Sequence, residues 1–592
     1  MKATSNVDKA LPVMVSQLEK DVCEPTQLDS SNRNTPNATT TTIGTTATAT
    51  TTTIGTTGST THHPSFGNHP RALSKPSGLS LRARLPFYNG PLTVGVVDIE
   101  TAPETQPTPT RPGMPVRHGL LARIYYPANI TATSSGDQKA VPSSQRGLSK
   151  RTQPLWLPPN APYAAGLADF LKLSWVVSRG VVQPVLNPIV MPAVWQAELA
   201  PATMPTDKPS GHGDDSNRIH SDHPTSNKLD LPTRLPVVVL SHGLAGMRTT
   251  YSTICGSLAA KGFIVIAPEH SDGSASATSR HVPDPDNKAE GPLSYTHILT
   301  IPYLRPEESH LSPDETMDAY LLRLRNLQVE IRADEVMDCI QLLQQIDSGA
   351  FNPDTNIIGD TGGPCVTPLA DFKTVISSLK GRMDFTQMVM AGHSFGGATA
   401  ITALSRPANP FKCGLFLDPW MFPVKNPNVI VPFLNIQSET FNWRENLDAM
   451  RALMGLDPIT PVESPPSPDH NGSSGSTDPL LSSRPRIVHT PCSNVHSQSR
   501  FGYLRDTIHT NASDFAGLFP TLSRWIGQSG KADPLRVYRI NDEWLTEFAR
   551  TYLTTTALRL PQFEEFAVCC EYEDDLVVMG DRAWKDLYGR LK

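Results

Sequence analysis

The sequence predicts an α/β protein with a mostly parallel central sheet and helices on both faces. Two observations predict this fold class. Short, wholly apolar strand segments alternate with helical segments along much of the chain, and a glycine-rich turn near residue 394 joins an apolar strand to a small-residue helix. Strands that lack the apolar–polar alternation are typical of parallel sheets, because helices cover them on both sides.

The individual elements follow from apolar runs and their spacing. Helical periodicity is clearest over residues 314–346, an amphipathic stretch bounded by polar residues, whereas the strands are recognised by short runs of branched apolar residues. The predicted strands are 120–126, 237–240, 263–267, 388–391 and 414–417. The predicted helices are 250–261, 314–346 and 397–404.

Composition limits how much of the chain folds. The 592 residues include 55 prolines, and hydrophobic residues make up 38% of the total. Residues 1–80 are rich in Thr, Ser, Asn, Pro and Gly, so we expect this segment to be disordered because it has little apolar surface to bury. We expect one catalytic domain over 85–550, with loose insertions at about 205–230 and 461–485, followed by a C-terminal extension over 551–592.

Charge and cysteine content exclude several classes of protein. A formal net charge of −6 predicts no nucleic-acid partner. The eight cysteines show neither a CxxC spacing nor a paired framework, which predicts a reduced intracellular setting and no zinc site. The first residues have no apolar secretory core, position 2 is lysine, and no run of about 18 apolar residues occurs. We therefore expect a cytoplasmic protein that can associate peripherally with membranes.

The strongest motif is Gly392-His393-Ser394-Phe395-Gly396, which lies where the apolar strand meets the small-residue helix. In a nucleophile elbow the serine occupies a strained turn, and glycines two positions away allow close backbone passage. The following helix directs its positive end at the site. This context predicts the α/β-hydrolase fold, with Ser394 as nucleophile and the backbone N–H of Phe395 as an oxyanion donor. A plain glycine-rich turn is the alternative.

A serine nucleophile needs a base, and an acid that orients the base. In this fold the chain order is Ser, then Asp or Glu, then His. Asp418 follows the apolar run GLFL and is the candidate acid, although a turn-forming aspartate before Pro419 is an alternative. Three histidines lie downstream, at 489, 496 and 509. We favour His509, which follows a possible strand and precedes a helix-like segment.

A second oxyanion donor is expected in the loop after an earlier strand. The segment Ser241-His242-Gly243-Leu244 follows the run VVV, and the backbone N–H of Leu244 is the candidate donor. The alternative is that Gly243 only makes a tight turn.

Several of these segments closely resemble the platelet-activating-factor acetylhydrolases. The resemblance lies in SHGLAGMRTTYSTICGSLAAKGFIVIAPEHSDGSASAT (241–278), AGHSFGGATA (391–400), CGLFLDPWMFP (413–423), LWLPPNAPYAAGLADFLKLSW (155–175) and TIHTNASDF (507–515). It spans about 85–550 with interruptions. One departure is Gly273, where the family commonly carries a basic residue.

The resemblance implies a function and its residues. It implies a triad of Ser394, Asp418 and His509, with Leu244 and Phe395 as oxyanion donors. It also implies calcium-independent hydrolysis of the short or oxidised sn-2 acyl ester of phospholipids through an acyl-enzyme, without metal or cofactor. The alternatives are a general carboxylesterase or lipase with the same triad, and a non-catalytic binding protein on a hydrolase scaffold.

Phospholipid substrates lie at interfaces, so two apolar stripes are candidates for lipid contact. The first comprises Leu167, Phe170, Leu171 and Trp175, spaced as one helix face and extended by Val176 and Val177. The second comprises Phe515, Leu518, Phe519, Leu522 and Trp525. We favour ordinary core packing for both over lipid contact, because apolar stripes usually face inward. No protein partner can be inferred.

Overall fold

A computed structural model describes most of the predicted catalytic region. The described residues are 85–102, 113–130, 151–158, 162–202, 231–282, 297–358, 366–457, 498–518, 520, 530–553 and 577–590. The predicted disordered segment 1–80 and the predicted insertions at about 205–230 and 461–485 lie outside these ranges.

Twelve strands form one large sheet and one hairpin. The ten-stranded sheet has the order β12-β11-β10-β9-β8-β4-β5-β2-β1-β3, and β6 pairs with β7. The strands are β1 (Val94–Glu100), β2 (Leu121–Pro127), β3 (Val194–Trp195), β4 (Leu235–Ser241), β5 (Ile264–Pro268), β6 (Ala277–Val282), β7 (His297–Pro302), β8 (Met383–His393), β9 (Cys413–Leu417), β10 (Phe433–Ser438), β11 (Arg500–Leu504) and β12 (Val577–Met579).

Six strands, from β11 to β5, pair in parallel and form the centre of the sheet. The chain leaves β4 towards β5 on one side and later returns to place β8 on the other side. Ser241 at the end of β4 therefore pairs with Gly392 near the end of β8. Such a reversal in strand order opens a crevice at the carboxyl ends of the strands, where ligands bind in open α/β sheets.

Nine helices, together with a broken helical segment and three short 3₁₀ turns, are seen in the described ranges. The helices are α1 (Tyr163–Phe170), α2 (Ser252–Ala259), α3 (Met317–Ser348), α4 (Phe372–Leu379), α5 (Phe395–Leu404), α6 (Arg444–Leu453), α7 (Asp514–Leu518), α8 (Pro534–Tyr552) and α9 (Gly580–Arg590). The 3₁₀ turns are Glu308–His310, Pro353–Thr355 and His509–Ala512. The broken segment runs through Trp175–Val177, Ser178–Val182 and Gln183–Leu186.

Apolar residues on each face of the sheet form a separate core. Along β4, Val238 and Leu240 join the core that contains residues of α2 and α8, whereas Val237 and Val239 join the core that contains residues of α3 and α6. Every residue of β4 is buried. The unbroken apolar runs of the sequence are explained by this burial on both faces, and the predicted fold class is confirmed.

The structure extends several predicted elements and adds others. Strand β8 begins at Met383, five residues before the predicted start at 388, because its first residues also pair with β4. Strands β1 and β10 and helices α6 and α8 were not predicted. Residues 577–590, within the predicted C-terminal extension, supply β12, which pairs with β11, and α9, whose Trp584 stacks on Phe501 with ring centroids 3.5 Å apart.

The prediction of lipid contact is wrong for four residues. Leu167, Phe170, Leu171 and Leu518 are all at most 3% exposed and belong to the hydrophobic core. The predicted single face is broken because α1 ends at Phe170, before the chain turns through Lys172 at a φ of 53°. Only then does the next helical turn begin.

The remaining residues of the two stripes differ in their environment. Trp175 is 72% exposed and Val176 is 69% exposed, whereas Val177 is partly buried against the core. Phe515 packs edge-on against Trp156. Phe519, Leu522 and Trp525 lie outside the residues whose side chains are described. Within the described ranges, no helix combines the length and apolarity needed to cross a bilayer.

Candidate active site

Three side chains predicted from different parts of the sequence meet at the carboxyl ends of the central strands. The Ser394 Oγ lies 2.8 Å from the His509 Nε2, and the His509 Nδ1 lies 3.1 Å from an Asp418 carboxylate oxygen. All three residues are at most 5% exposed. This is the hydrogen-bonding order of a Ser–His–Asp triad. Residues 489 and 496, the alternative histidines, lie outside the described ranges.

Ser394 occupies a strained turn between β8 and α5. Its φ is 56° and its ψ is −121°, a conformation that L-residues rarely adopt. The neighbouring glycines permit the turn. A Cβ atom on Gly392 would lie 2.0 Å from the Gly396 carbonyl oxygen, and one on Gly396 would lie 2.0 Å from the Ser241 carbonyl oxygen. The glycine spacing of the motif therefore follows from one close contact within the elbow and one between the elbow and the end of β4.

Asp418 is held by the neighbouring strand. The Ser438 backbone N–H and hydroxyl, at the end of β10, donate to its two carboxylate oxygens. Asp418 itself has a φ of 44°. The carboxylate therefore has three donors when His509 is included, and the strained backbone directs it from the end of β9 towards the imidazole.

Burial sets the protonation preferences of the site. Desolvation lowers the pKa of His509 to about 3 and raises the pKa of Asp418 to about 6. The neighbouring His393 and the hydrogen bonds from Ser438 oppose the upward shift of the Asp418 pKa. A histidine that is neutral over a wide pH range is competent to accept the Ser394 proton.

The loop after β4 presents a free backbone donor beside Ser394. Gly243 lies so close that a Cβ atom on it would be 3.2 Å from the Ser394 Cβ. The backbone N–H of Leu244 has no acceptor among the described residues. Phe395 is the first residue of α5, where an N–H has no partner within the helix. The two predicted oxyanion donors thus flank the serine from adjacent strands.

A hydrogen-bonded chain connects this loop to the base. The Gly243 N–H donates to the Tyr251 hydroxyl over 3.3 Å, and the Tyr251 oxygen lies 2.7 Å from the His393 Nδ1. The His393 Nε2 lies 3.1 Å from the His509 carbonyl oxygen. Because a carbonyl only accepts, Nε2 carries the proton and Nδ1 accepts from Tyr251. Burial and the neighbouring His509 lower the pKa of His393 to about 3, consistent with a neutral ring.

Two further contacts hold His509 and the loop that carries it. The Phe441 ring stacks on the imidazole with centroids 3.7 Å apart. Asp514, five residues further on, receives hydrogen bonds from the Ser252 and Thr253 backbone N–H groups at the start of α2, and from the Trp156 indole. The loop that carries the base is therefore anchored to α2, on the same side as Tyr251.

A second Ser–His–acid arrangement lies directly behind the oxyanion loop. The Ser241 Oγ is 2.8 Å from the His270 Nε2, and the His270 Nδ1 is 2.5 Å from a Glu335 carboxylate oxygen. All three residues are fully buried. Burial and the nearby Asp272 raise the pKa of Glu335 above its ordinary value. Ser241 is the last residue of β4, and the His270 backbone N–H lies 3.3 Å from the His242 Nε2, so this arrangement supports the loop.

The site contains one grouping of metal-ligating side chains. The ligand atoms of His393, Asp418 and His509 all lie within 4.8 Å of one another. Both ring nitrogens of His393 and both of His509 already have hydrogen-bond partners. Their geometry is accounted for by the triad and its supporting chain.

Several supporting residues were missed by sequence reasoning. Tyr251 lies in a segment predicted only to be helical, and Arg332, which donates to the His242 carbonyl oxygen, lies in the predicted amphipathic helix. Ser438 ends a strand that was not predicted, and Phe441 follows it. Gly273, the departure from the family pattern, has a φ of 76°, and its Cβ would lie 2.7 Å from the Leu304 Cβ. A larger residue would be strained at this position.

The fold and the site together place the chain in the α/β-hydrolase class, with a buried Ser–His–Asp triad at the strand-order reversal. A family model described as platelet-activating factor acetylhydrolase, isoform II, matches residues 217–557, more than half of the chain. The chain therefore belongs to this family.

Individual proteins are similar to this chain at less than 30% sequence identity. A platelet-activating factor acetylhydrolase of Bos taurus is 29% identical over 373 residues, which cover 62% of this chain and 63% of the bovine protein. A putative phospholipase A2 of Schizosaccharomyces pombe is 26% identical over 493 residues, which cover 80% of this chain and 93% of that protein. The solved structure of a ferulic acid esterase of Streptomyces cinnamoneus aligns with a TM-score of 0.40 and 17% sequence identity. The alignment covers 81% of this chain and 96% of the esterase chain.

Proposed function

We propose that this protein is a serine esterase that hydrolyses the short or oxidised sn-2 acyl ester of phospholipids through an acyl-enzyme on Ser394. The observation that carries the proposal is the continuous hydrogen-bonded line from Ser394 through His509 to Asp418. Membership of the family supports the class of substrate. The names of the bovine and fission yeast relatives also refer to acetylhydrolase and phospholipase activity.

The proposed reaction has two steps. In the first, the Ser394 Oγ passes its proton to the His509 Nε2 and attacks the ester carbonyl carbon, and the carbonyl oxygen becomes an oxyanion between the N–H groups of Leu244 and Phe395. His509 returns the proton to the departing lysophospholipid oxygen. In the second step His509 takes a proton from water, which attacks the acyl-enzyme carbonyl carbon. The bond to the Ser394 Oγ then breaks, His509 returns the proton to that oxygen, and the short acid is released. Asp418 stabilises the imidazolium in both steps.

The decisive test combines labelling with turnover. The purified protein is incubated with a fluorophosphonate, and the labelled peptide is identified by mass spectrometry. Label on Ser394, lost in Ser394→Ala, is the expected result. Label on Ser241 would contradict the assignment, because it would make the second Ser–His–acid arrangement the reactive one.

Substrate class is tested with matched lipids in a calcium chelator. The expected result is rapid release of acetate from an ether phospholipid with an sn-2 acetyl group, and slow release from the same lipid with a long sn-2 chain. Equal rates on both would make the protein a general lipase. Activity on soluble esters alone would make it a carboxylesterase.

Contact with a lipid surface is proposed for the exposed start of the broken helical segment. Trp175 and Val176 project into solvent side by side, and the Arg179 guanidinium carbon lies 5.8 Å from the Trp175 ring centroid. Lys172 is also exposed. An exposed tryptophan with flanking cations is typical of segments that rest in the headgroup region, where the ring is half immersed and the cations meet phosphate.

Vesicle binding tests this contact. The double variant Trp175→Ser, Val176→Ser should bind phosphatidylcholine vesicles at least tenfold more weakly than the wild type, with unchanged hydrolysis of a soluble ester. Leu535→Ser is the matched control, because Leu535 is 48% exposed at the start of α8. Equal loss in both variants, or none in the double variant, would contradict the proposed contact.

A further inference from the structure

We infer that Arg332 is a positioning residue that holds both backbone donors of the oxyanion hole. This inference rests on the proposed esterase function. Arg332 lies on α3 and is fully buried. Its guanidinium contacts the loop of Leu244 and the ring of Phe395, which belong to two separate segments of the chain.

Arg332 contacts the loop that contains Leu244 both directly and through Ser274. The Arg332 Nη1 donates to the His242 carbonyl oxygen over 2.7 Å. The Arg332 Nε donates to the Ser274 Oγ over 2.9 Å, and the Ser274 carbonyl oxygen accepts from the Ala245 N–H over 2.7 Å. Arg332 therefore fixes the loop on both sides of Leu244.

These contacts explain why the Leu244 N–H is available. The His242 carbonyl, the Gly243 N–H and the Ala245 N–H are each bound by a group outside the loop. The Leu244 N–H is left without an acceptor among the described residues, beside the nucleophile. A buried N–H without a partner is costly, so its orientation must be imposed by its neighbours.

The same guanidinium packs on the second donor residue. The Arg332 Cζ lies 4.5 Å from the centroid of the Phe395 ring. This contact is a buried cation–π interaction, which is stronger than an exposed one because neither partner is hydrated. It holds the first residue of α5, and with it the Phe395 N–H, in place relative to the Leu244 loop.

The charge of Arg332 is balanced close by. Its Nε lies 3.4 Å from an Asp272 carboxylate oxygen, and Asp272 also accepts from Ser274. A positive charge that is already paired contributes little field at the oxyanion, so the arrangement favours a geometric role. Lysine keeps the charge but has a compact head that cannot make a fork of hydrogen bonds and stack on a ring at once.

The test is therefore Arg332→Lys, assayed with p-nitrophenyl acetate. The expected result is a kcat at least tenfold lower, approaching the roughly 10²–10³-fold loss that removal of one oxyanion donor causes, with KM changed less than twofold. A trifluoromethyl ketone, whose adduct with Ser394 carries an oxyanion, should bind more weakly by the same factor. A purely structural role would lower the amount of folded enzyme without this division between kcat and KM.

The matched control is Arg325→Lys. Arg325 lies on the same helix, is equally buried, and donates to Gln328 and Tyr303 and not to the oxyanion loop. The Arg325→Lys variant should have the same thermal stability as Arg332→Lys and the same kcat as the wild type. If both variants lose kcat equally, or if folded Arg332→Lys retains wild-type kcat and inhibitor affinity, the inference is overturned.

Two milder variants keep the inference testable if Arg332→Lys does not fold. Ser274→Ala removes the hydroxyl that Arg332 binds but keeps the carbonyl that holds Ala245, and Phe395→Leu removes the ring but keeps its N–H. Each variant should lower kcat without changing KM. Because both act through Arg332, the fold-loss of kcat in the double variant should be smaller than the product of the two single fold-losses. Wild-type kcat in both would overturn the inference. A wild-type protein that cleaves no ester would instead overturn the proposed function.

Discussion

The Phe441 ring lies flat against the His509 imidazole, with the ring planes inclined by 13° and the centroids 3.7 Å apart. The Phe441 ring is in turn packed edge-on by Trp443. The base of the triad is thus held by an apolar surface on one side and by the His393 ring on the other. This arrangement both orients the imidazole and keeps water from it.

Phe441→Ala should therefore impair the base. We expect kcat/KM for a soluble ester to fall about tenfold, because aromatic stacking of this kind contributes about 0.5–1.5 kcal/mol. Admission of water should also raise the pKa of His509, so the acid limb of the pH profile should move upwards. Phe501→Ala, which removes another buried stacked ring, is the control. An unchanged acid limb in Phe441→Ala would contradict the proposed shielding.

The pH dependence of the wild type follows from the same burial. Catalysis requires neutral His509 and ionised Asp418, and burial lowers the pKa of the former and raises that of the latter to about 6. Acidification that protonates Asp418 or His509 should therefore abolish kcat/KM only below pH 6.5, the ordinary pKa of a histidine. Rates measured from pH 4 to 9 test this. An acid limb above pH 7 would contradict it.

Asp418→Asn should lower kcat by about 10⁴-fold, because an amide stabilises the wrong tautomer of the base. The change is measured at pH 8, where the carboxylate of the wild type is ionised. Asp384→Asn, on the partly exposed early part of β8, is the control. A loss below tenfold in Asp418→Asn would remove Asp418 from the triad.

Gly243→Ala should reduce activity by steric contact. The added Cβ would lie 2.9 Å from the Tyr251 hydroxyl and 3.2 Å from the Ser394 Cβ. We expect kcat to fall at least tenfold, because a shift of about 1 Å at a reacting group costs about 10²-fold. Gly589→Ala has no atom within 4 Å of the new Cβ and should keep full activity. Wild-type kcat in Gly243→Ala would show that the loop moves freely.

Asp514→Asn should destabilise the fold around the base. Three donors at the start of α2 and the Trp156 indole converge on this carboxylate. An asparagine amide would place N–H groups against one of these donors, so we expect a loss of about 1–3 kcal/mol in the free energy of unfolding, measured with urea. Exposed Asp506→Asn removes the same charge and should change it by less than about 0.5 kcal/mol. Equal effects would contradict this account.

The sequence was sufficient to predict the centre of the molecule. Strand β4 and the second half of β8 (388–391) are apolar runs that end in small-residue turns, so these segments and the residues that follow them could be located. Ser394 follows the apolar run of β8, and Asp418 follows the apolar run of β9 in the same way. The placement of His509 depended on chain order, on the possible strand before it and the helix-like segment after it, and on the resemblance.

The supporting residues could not be predicted for a physical reason. Arg332 binds the His242 carbonyl, 90 residues away in the sequence, and Tyr251 binds His393, 142 residues away. Local periodicity indicates only which side of a helix is buried and does not reveal such partners. The prediction that the first apolar stripe forms one helix face failed for a similar reason. Leu167 and Trp175 have helical spacing, but a left-handed turn at Lys172 separates them, and the spacing of apolar residues does not record such a turn.

The pairing of Ser241 with Gly392 has a consequence for how the chain tolerates change. Because the two donor segments emerge from neighbouring strands, the distance between them is set by one rung of the backbone ladder, about 4.8 Å, and not by the length of any connection. Long stretches of sequence can therefore be gained or lost between β10 and β11, or before β4, while the spacing that the chemistry requires stays constant.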